Sequence, residues 1–525
     1  MPNTISREGH LPTYDELATR NRELTAQNAI LLEQVHQFRE DVQRLRDEIA
    51  RLKKQKGKPH IGPSKMTGKK KSGKKRKRKP VAPRHVDETV VVEAEDVPSG
   101  SEFKGYSDFI VQELVIKTVT TRYRLEKWLT PEGKVITGEL DVVSDAPHFG
   151  PTLCSFVLYQ YYHAHVTEPL ILEQLREWGV RISKGQLHRM ITEGKEKFHQ
   201  EKDEILRVGL RVSGHVNVDD TGARHQGQNG YCTHIGNQWF AWFASTRSKS
   251  RVNFLELLCL GRVEYVLSGE ALEYMASQRL AKKSLGLMSR EEGRTFTDKA
   301  EWQAFLQECR ITVKRQVRVA TEGALLGCVL RRGINPELVI VSDDASQFNV
   351  LLHALCWIHA ERILAGLIGF NDAQRRDLED IRKAVWKLYR DIQSYQKAPT
   401  DKVKQELKER FEGLCRTQTC FTSLNLALKR MLRNENELLL ALERPDLPLH
   451  NNLSETDIRE YVKRRKISGG TRSENGRRGR DTFASLKKTC RKLGVSFWKY
   501  LTDRIGSEQR IPPLPALIEA KAGAT

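Results

Sequence analysis

Apolar residues recur every seven positions near the start of the chain. They are Leu17, Leu24, Leu31, Phe38, Leu45 and Leu52, and four residues after each of the first five come Asn21, Asn28, Val35, Val42 and Ile49. Mostly Leu at one core position with β-branched residues at the other favours a parallel two-stranded coiled coil, and a buried Asn fixes its register. We predict this coiled coil over residues 14–53. A helix within a globular bundle is the alternative.

The next segments differ from it in pattern. Residues 54–85 are rich in Lys, Gly, Pro and Ser, which predicts a basic flexible linker. β-branched runs beginning at Val86 and Val111 predict a β-rich segment over 86–148. Residues 149–208 have helical periodicity broken at Gly179, which predicts a helical DNA-binding region like a helix-turn-helix, although any helical hairpin gives this pattern.

From residue 209 the pattern changes to strands that end in acids. The run HVNVDDT ends in Asp219 and Asp220, and ELVIVSDDASQF ends in Asp343 and Asp344. Acids at the carboxyl ends of strands lie where open α/β sheets place their sites. The predicted fold class is therefore α/β. The catalytic core is predicted in two parts, 209–360 and 447–505. The first part contains an extra helical segment at 260–336, and a helical insertion at 361–446 separates the two parts. A tail is predicted at 506–525.

Composition narrows the class of protein. A chain of 525 residues is long enough for two to four structural units. No run of apolar residues is long enough to span a membrane, so no membrane partner is expected. The nine cysteines form no regular framework, which favours reduced thiols and a cytoplasmic location.

The net charge of +21 is concentrated in two places. Residues 53–84 hold 15 Lys or Arg and no acid, and residues 463–492 hold 12 basic and two acidic residues, a net charge of +10. The rest of the chain therefore has a net charge of 21 − 15 − 10 = −4. Focused positive charge is expected where a protein displaces counterions from a polyanion. A solvated tail and a charged helix face are the alternative.

A third acid, Glu455, follows in HNNLSETDIREYVKRRK, a loop that runs into a helix. Three carboxylates brought together can hold two divalent cations, which clamp the attacking and leaving oxygens of a phosphodiester displacement. Each acid also has an ordinary explanation. Asp220 and Asp344 could be turn residues, and Glu455 could complete a capping box with Asn452.

Four motifs together resemble the DDE transposases of bacterial insertion sequences, and most closely the insertion sequence 66 family. They are DDT at 219–221, SDDASQF at 342–348, CWIHAER at 356–362 and NNLSETDIR at 451–459. The resemblance implies an RNase-H-like catalytic domain in which Asp219, Asp343 and Glu455 are both the catalytic residues and the ligands of two Mg²⁺ or Mn²⁺ ions. It also implies that the partners are DNA, as element ends and as target, and that the protein is associated with the bacterial nucleoid.

The chain departs from that family pattern in two ways. Such proteins usually carry a cysteine-rich zinc module after the coiled coil, and residues 53–150 contain no cysteine. The Asp before the NN pair is replaced by His450, and the Arg after the Glu by Thr456. We therefore expect no zinc finger in this region.

A basic cluster beyond Glu455 is predicted to hold DNA phosphates. Its members are Lys463, Arg464, Arg465, Lys466, Arg472, Arg477, Arg478 and Arg480. Cys356 and His359 are predicted to be structural residues near the site, with half of a zinc site as the alternative.

The sequence thus predicts a DNA transposase that acts as a homodimer or higher oligomer joined by the coiled coil. Two alternatives stay open at this point. One is an RNase-H-like DNA nuclease or resolvase that does not transpose. The other is a non-catalytic dimeric DNA-binding protein, which three separate acids near phosphates would disfavour.

Overall fold

The computed structural model describes residues 19–21, 23–28, 31, 85–139 and 148–524. By internal contacts the chain divides into two units, Met1–Leu114 and Val115–Thr525, and each is described by itself. The described residues between 19 and 31 are helical. The rest of the predicted coiled coil at 14–53, and the basic linker up to residue 84, lie outside the described residues and stay predictions.

The strand prediction for 86–148 needs correction. In the described residues of this range, strand is limited to a hairpin of β1, Lys127–Leu129, and β2, Val135–Thr137. Residues 86–126 contain no strand, and their apolar side chains are exposed, as at Phe109 with 91% of its surface accessible. β-branched residues form strands only where a neighbouring strand pairs with them, and this range has no such neighbour in the structure.

Helices follow from residue 151. They are α1 (Pro151–Leu158), a π-helical turn (Tyr159–His163), α2 (Glu168–Glu177), α3 (Lys184–Thr192) and α4 (Glu196–Val212). Gly179 ends α2 in a left-handed conformation (φ 79°), which glycine adopts without strain. Ser183 begins α3 with a capping box formed with Gln186, so the break between the two helices is encoded locally.

A five-stranded mixed sheet forms the centre of the second unit. Its strands are β3 (His215–His225), β4 (Gln228–Gly236), β5 (Ala241–Thr246), β8 (Val339–Ser342) and β9 (Leu352–Leu355). They lie in the order β5-β4-β3-β8-β9. The pairs β3-β4 and β4-β5 are antiparallel, whereas β3-β8 and β8-β9 are parallel. The fold is therefore α/β with a mixed sheet.

Both faces of the sheet are covered, as the apolar runs of its parallel strands require. Ile340 belongs to one hydrophobic core, and its neighbours Val339 and Val341 belong to another. Because successive side chains of a strand point to opposite faces, β8 joins the two cores.

Between β5 and β8 lies a compact, mostly helical segment. It contains α5 (Arg251–Leu258), β6 (Tyr265–Val266), α6 (Gly269–Ser277), α7 (Lys282–Ser289), β7 (Thr295–Phe296), α8 (Lys299–Glu308) and α9 (Lys314–Arg331). Gly323 and Gly327 let α9 approach its neighbours closely. A Cβ on Gly327 would lie 2.4 Å from the carbonyl oxygen of Val266, so a larger residue would push α9 away from β6.

Helices also fill the interval before the last acid. They are α10 (Trp357–Ala365), α11 (Asp372–Tyr395), α12 (Asp401–Cys415), α13 (Thr422–Arg433), α14 (Glu435–Leu438) and α15 (Leu440–Glu443). Trp357 at the start of α10 is buried and donates its indole N–H to the carbonyl of Leu438 (2.8 Å), which fixes this helical insertion to the sheet end.

The chain closes with α16 (Asn452–Ser468), α17 (Glu474–Leu493), α18 (Phe497–Ile505) and α19 (Leu514–Gly523). The prediction of a tail at 506–525 is wrong for its helical part, because Leu514 and Ile518 are fully buried and α19 packs on α4. Leu514 and Ile518 are four positions apart and so lie on the same face of α19. The helix is short, so this periodicity did not stand out in the sequence. No helix in the described part of the chain is long and apolar enough to cross a membrane.

Candidate active site

The first predicted acid, Asp219, lies within β3, which continues to His225, so the prediction that this strand ends in its acids is wrong. Along this strand Val216 and Val218 point into a hydrophobic core, so Asn217 and Asp219 share the opposite face. In the antiparallel register Asp219 lies across from His234 of β4. Helix α16 packs over β3 and β4.

The two acids of the first pair have different surroundings. Asp220 is held from both sides, because Thr233 Oγ1 donates to its Oδ1 (2.5 Å) and Gln347 Nε2 donates to its Oδ2 (3.1 Å). Asp219 accepts one bond from the backbone N–H of Asp220 (2.7 Å). Asp219 therefore makes fewer hydrogen bonds to the protein than Asp220, and its carboxylate is the one of the pair that can bind a ligand.

The second pair, just past the end of β8, shows the same division. Arg430 of α13 donates its Nε to Asp344 Oδ2 (2.7 Å) and forms an ion pair with it. Asp343 accepts one bond at Oδ1, from the backbone N–H of Ala345 (3.1 Å). Asp344 fastens the insertion to the sheet end, and Asp343 keeps a free carboxylate oxygen.

The third acid, Glu455, lies in the first turn of α16 and contacts cations. Arg362 Nη1 donates to its Oε1 (3.0 Å), and Arg459 Nη2 donates to its Oε2 (3.4 Å). His359 Nε2 is 3.7 Å from Oε1, which is too long for a hydrogen bond. Arg362, three residues after His359 in the CWIHAER motif, is a site residue that the sequence analysis did not single out.

Electrostatics connect the three acids. Burial raises the pKa of Asp219 to about 7, against the opposing N–H of Asp220, and the negative charges of Asp343, Asp220 and Glu455 raise it further. The charges of acids at the end of β8 and on α16 thus reach Asp219 on β3 and oppose its ionisation. Positive charge near Asp219 would favour its ionised form.

Asn451 sets the position of the Glu455 helix relative to β3. Its side chain is fully buried, accepts from Asn217 Nδ2 at Oδ1 (2.9 Å) and donates from Nδ2 to the carbonyl of Val218 (2.7 Å). Its backbone N–H donates to the sulfur of Cys356 (3.2 Å). The loop before Glu455 is therefore tied to the two residues that precede Asp219 on β3. The first Asn of the NN pair was the available sequence signal for this contact.

A second anchor holds α16 from the β4 side. Buried His234 shares a hydrogen bond with Ser454 Oγ (2.8 Å) and places its Nε2 3.2 Å from Asp457. Burial alone would raise the pKa of Asp457, but the contact with His234 and the charge of Lys492 hold it well below its usual range. An ionised, buried anchor of this kind fixes one rotation of the helix, in which Glu455 contacts Arg362 of α10.

The donor set suits a hard divalent cation, since Asp219, Asp343 and Glu455 offer only carboxylate oxygens. In the described residues, no three His, Cys, Asp or Glu side chains are gathered closely enough to hold a metal ion. Cys356 is buried beside Asn451 and His359 lies beside Glu455, so both stand next to the acids.

The predicted basic cluster separates into exposed and buried members. Lys463, Lys466 and Arg472 are exposed. Arg464 and Arg480 are only 6% exposed and lie over the rings of Tyr161 and Tyr461, respectively. The prediction that these two arginines bind DNA is therefore wrong, because their heads are inside the protein.

The remaining three arginines have protein partners. Arg465 donates to the carbonyl of Gly222 on β3, Arg477 pairs with Glu474, and Arg478 pairs with Glu196 (2.8 Å). Trp386 and Tyr389 pack against each other within the core of the insertion, with ring centroids 5.4 Å apart.

Comparison with known proteins adds two findings. Residues 337–478, which include Asp343 and Glu455, match the family described as "Transposase IS66 family". Over 321 residues the chain is 42% identical to the uncharacterized protein y4jO of Sinorhizobium fredii, and the alignment covers 61% of this chain and 100% of that protein.

Proposed function

Because the chain belongs to the IS66 family of transposases, we propose that it binds the ends of its own mobile element, cuts the DNA strands there and joins the new ends to target DNA. The observation that carries this proposal is that three acids from distant segments act on one position: burial raises the pKa of Asp219 to about 7, and the charges of Asp343 and Glu455 add to that rise. Phosphodiester chemistry with divalent cations needs carboxylates brought together from separate segments in this way.

We infer further that the catalytic core is RNase-H-like. Support comes from the mixed sheet, in which three consecutive antiparallel strands are followed by two parallel ones. The first two acids lie on β3 and at the end of the adjacent parallel strand β8. The long helical insertion between β9 and α16 separates the second acid from the third.

Asp219, Asp343 and Glu455 would hold two Mg²⁺ or Mn²⁺ ions. When bound, such ions activate the attacking hydroxyl and neutralise charge on the phosphate oxygens. The protein's own part is positional. Asp220 and Asp344, each engaged by neighbouring side chains, hold the backbone of their free partners, and Asn451 fixes the Glu455 helix against β3. Both cleavage and joining are in-line attacks at phosphorus, so one site can serve both steps.

The DNA is proposed to follow α16 away from the site. Arg459, Lys463 and Lys466 are exposed and follow Glu455 at spacings of four, four and three residues, which puts them on one helix face. At a rise of about 1.5 Å per residue, this basic stripe extends roughly 16 Å from Glu455. We define these three residues as the α16 stripe. A second subunit, joined through the predicted coiled coil at 14–53, would bring the other element end.

The test is strand cleavage of DNA that carries an element end, with Mg²⁺. We expect Asp219→Asn, Asp343→Asn and Glu455→Gln each to abolish cleavage while DNA binding persists, because each loses a ligand oxygen with little change of shape.

The matched controls are the neighbouring acids. Asp220→Asn and Asp344→Asn should retain cleavage, since these side chains bond to the protein. An inactive Asp344→Asn beside an active Asp343→Asn would show that the proposed assignment within that pair is wrong.

A further inference from the structure

The carboxylate of Glu455 is engaged by arginines and not gathered with the two aspartates. Arg362 lies 3.0 Å from Oε1 and Arg459 lies 3.4 Å from Oε2. Within the described residues no set of three potential ligands is close enough to hold a metal. Glu455 must therefore exchange at least one cationic partner before it can complete a site with Asp219 and Asp343.

Arg362 differs from Arg459 in how it is held. Arg362 Nη1 also lies 3.2 Å from His359 Nε2, one turn earlier on α10. A guanidinium has only donors, so in this contact His359 Nε2 is the accepting nitrogen. His359 therefore orients Arg362 as a hydrogen-bond acceptor.

Arg362 also has room to move. Its side chain is 52% exposed, whereas that of Glu455 is 18% exposed. A guanidinium that His359 contacts through Nη1 and that is half exposed to solvent can turn toward a new anion without leaving α10. Its planar array of donors matches the oxygens of a phosphate.

On the basis of the proposed function, we propose that Arg362 exchanges partners during the reaction. In the metal-free protein it neutralises Glu455. In the complex with metal and DNA it contacts a non-bridging oxygen of the scissile phosphate, which makes it a further catalytic residue, and His359 is its positioning residue. The exchange keeps charge balanced, because Glu455 gains a metal cation as Arg362 gains an anionic phosphate.

The first test measures metal affinity and cleavage in the same variant. Arg362→Ala should bind Mn²⁺ about two- to fivefold more tightly in the absence of DNA, because a competing ion pair has been removed. The same variant should cleave DNA roughly 100-fold more slowly at saturating DNA and metal. Isothermal titration and single-turnover cleavage give the two values.

Arg375→Ala is the matched control. Arg375 is a similarly exposed arginine (61%) paired with Asp372 away from the acids, so both quantities should match wild type. A purely structural role for Arg362 would weaken metal binding and cleavage together. Unchanged or weaker Mn²⁺ binding, or unchanged cleavage, would overturn the exchange.

The second test measures the phosphate contact through salt dependence. Each phosphate contact contributes about 0.9 to the slope of log affinity against log salt concentration on duplex DNA. Arg362→Ala should lower that slope by about one contact when Ca²⁺ fills the site and leave it unchanged in EDTA, where wild-type Arg362 remains on Glu455. Equal slopes for wild type and variant in Ca²⁺ would contradict the proposed contact.

The role of His359 is tested by a conservative pair. His359→Gln keeps an oxygen that can accept from Arg362 and should retain cleavage within a few-fold, whereas His359→Leu should approach Arg362→Ala. If Gln and Leu were equally impaired, His359 would not act by accepting this hydrogen bond. Wild-type protein that cleaves no element DNA would refute the proposed function, while the Mn²⁺ comparison would still report whether Arg362 competes for Glu455.

Discussion

Adjacent acids in this protein have different roles because of what surrounds each one. The β-branched runs before them identified both acid pairs in the sequence, at 219–220 and 343–344. This pattern could not decide between the members of a pair, since the deciding partners are distant in the chain. Thr233 and Arg430, for example, engage Asp220 and Asp344 from another strand and another helix. The assignment of Asp219 and Asp343 as the ligands came from the family resemblance, and the geometry is compatible with it.

The raised pKa of Asp219 predicts a measurable effect on stability. A carboxyl whose pKa is about 7 in the folded protein and about 3.8 when unfolded binds more protons in the folded state between these values. Its contribution to stability is therefore complete below about pH 4 and is lost as the pH rises through about 7. We expect Asp219→Asn to raise the melting temperature relative to wild type at pH 8 in EDTA, with a smaller difference near pH 5.

The exposed Asp380 provides the control for that measurement. Asp380→Asn should show no comparable rise at pH 8, because this side chain is 77% exposed. A melting temperature for Asp219→Asn that did not exceed wild type at pH 8, or an increment that grew toward pH 5, would contradict the burial and charge repulsion assigned to Asp219.

At the scale of single elements, helix periodicity separates the basic residues that face solvent from those that are buried. On α16 the α16 stripe faces outward, whereas Tyr461 and Arg464, three residues apart, are both buried. The predicted DNA-binding cluster included Arg464 and Arg480 because cations are dense in this part of the sequence. Arg464 follows Tyr461 by three residues, and this spacing placed it on the same helix face as that aromatic residue. Because arginine is rarely buried, its residue type nevertheless favoured an exposed position.

The α16 stripe should make a salt-dependent contribution to DNA binding. Replacement of Arg459, Lys463 and Lys466 by Gln should lower the slope of log affinity against log salt by up to about 2.7, at roughly 0.9 per phosphate contact. Fluorescence anisotropy on a duplex of random sequence gives the slope. The matched control replaces Lys387, Arg390 and Lys402, which are exposed on the helical insertion, by Gln. Equal losses in the two triple variants would show that net charge alone matters and that DNA does not follow α16.

At the scale of the whole molecule, the central sheet and its site are built from segments far apart in sequence. Patterning predicted the α/β class, the strand β8 that ends at its acids and the helices around the sheet. Its prediction that the first strand ends at Asp219 and Asp220 was wrong, because β3 continues to His225. It could not predict that residues 86–126 lack strand or that α19 packs on α4, because both depend on whether a partner surface is present. Nor could it predict the tie between Asn451 and β3, which joins residues 234 positions apart.

The proposed transposase activity is tested most directly by measuring strand joining with the purified protein. A labelled DNA carrying an element end is incubated with a supercoiled target plasmid and Mg²⁺, and the products are separated by size. A transposase gives labelled plasmid, and Asp219→Asn gives none, because one set of acids serves both cleavage and joining. Cleaved ends that never join to the plasmid would contradict the account and indicate a nuclease. Joined product from Asp219→Asn would remove this carboxylate from the chemistry.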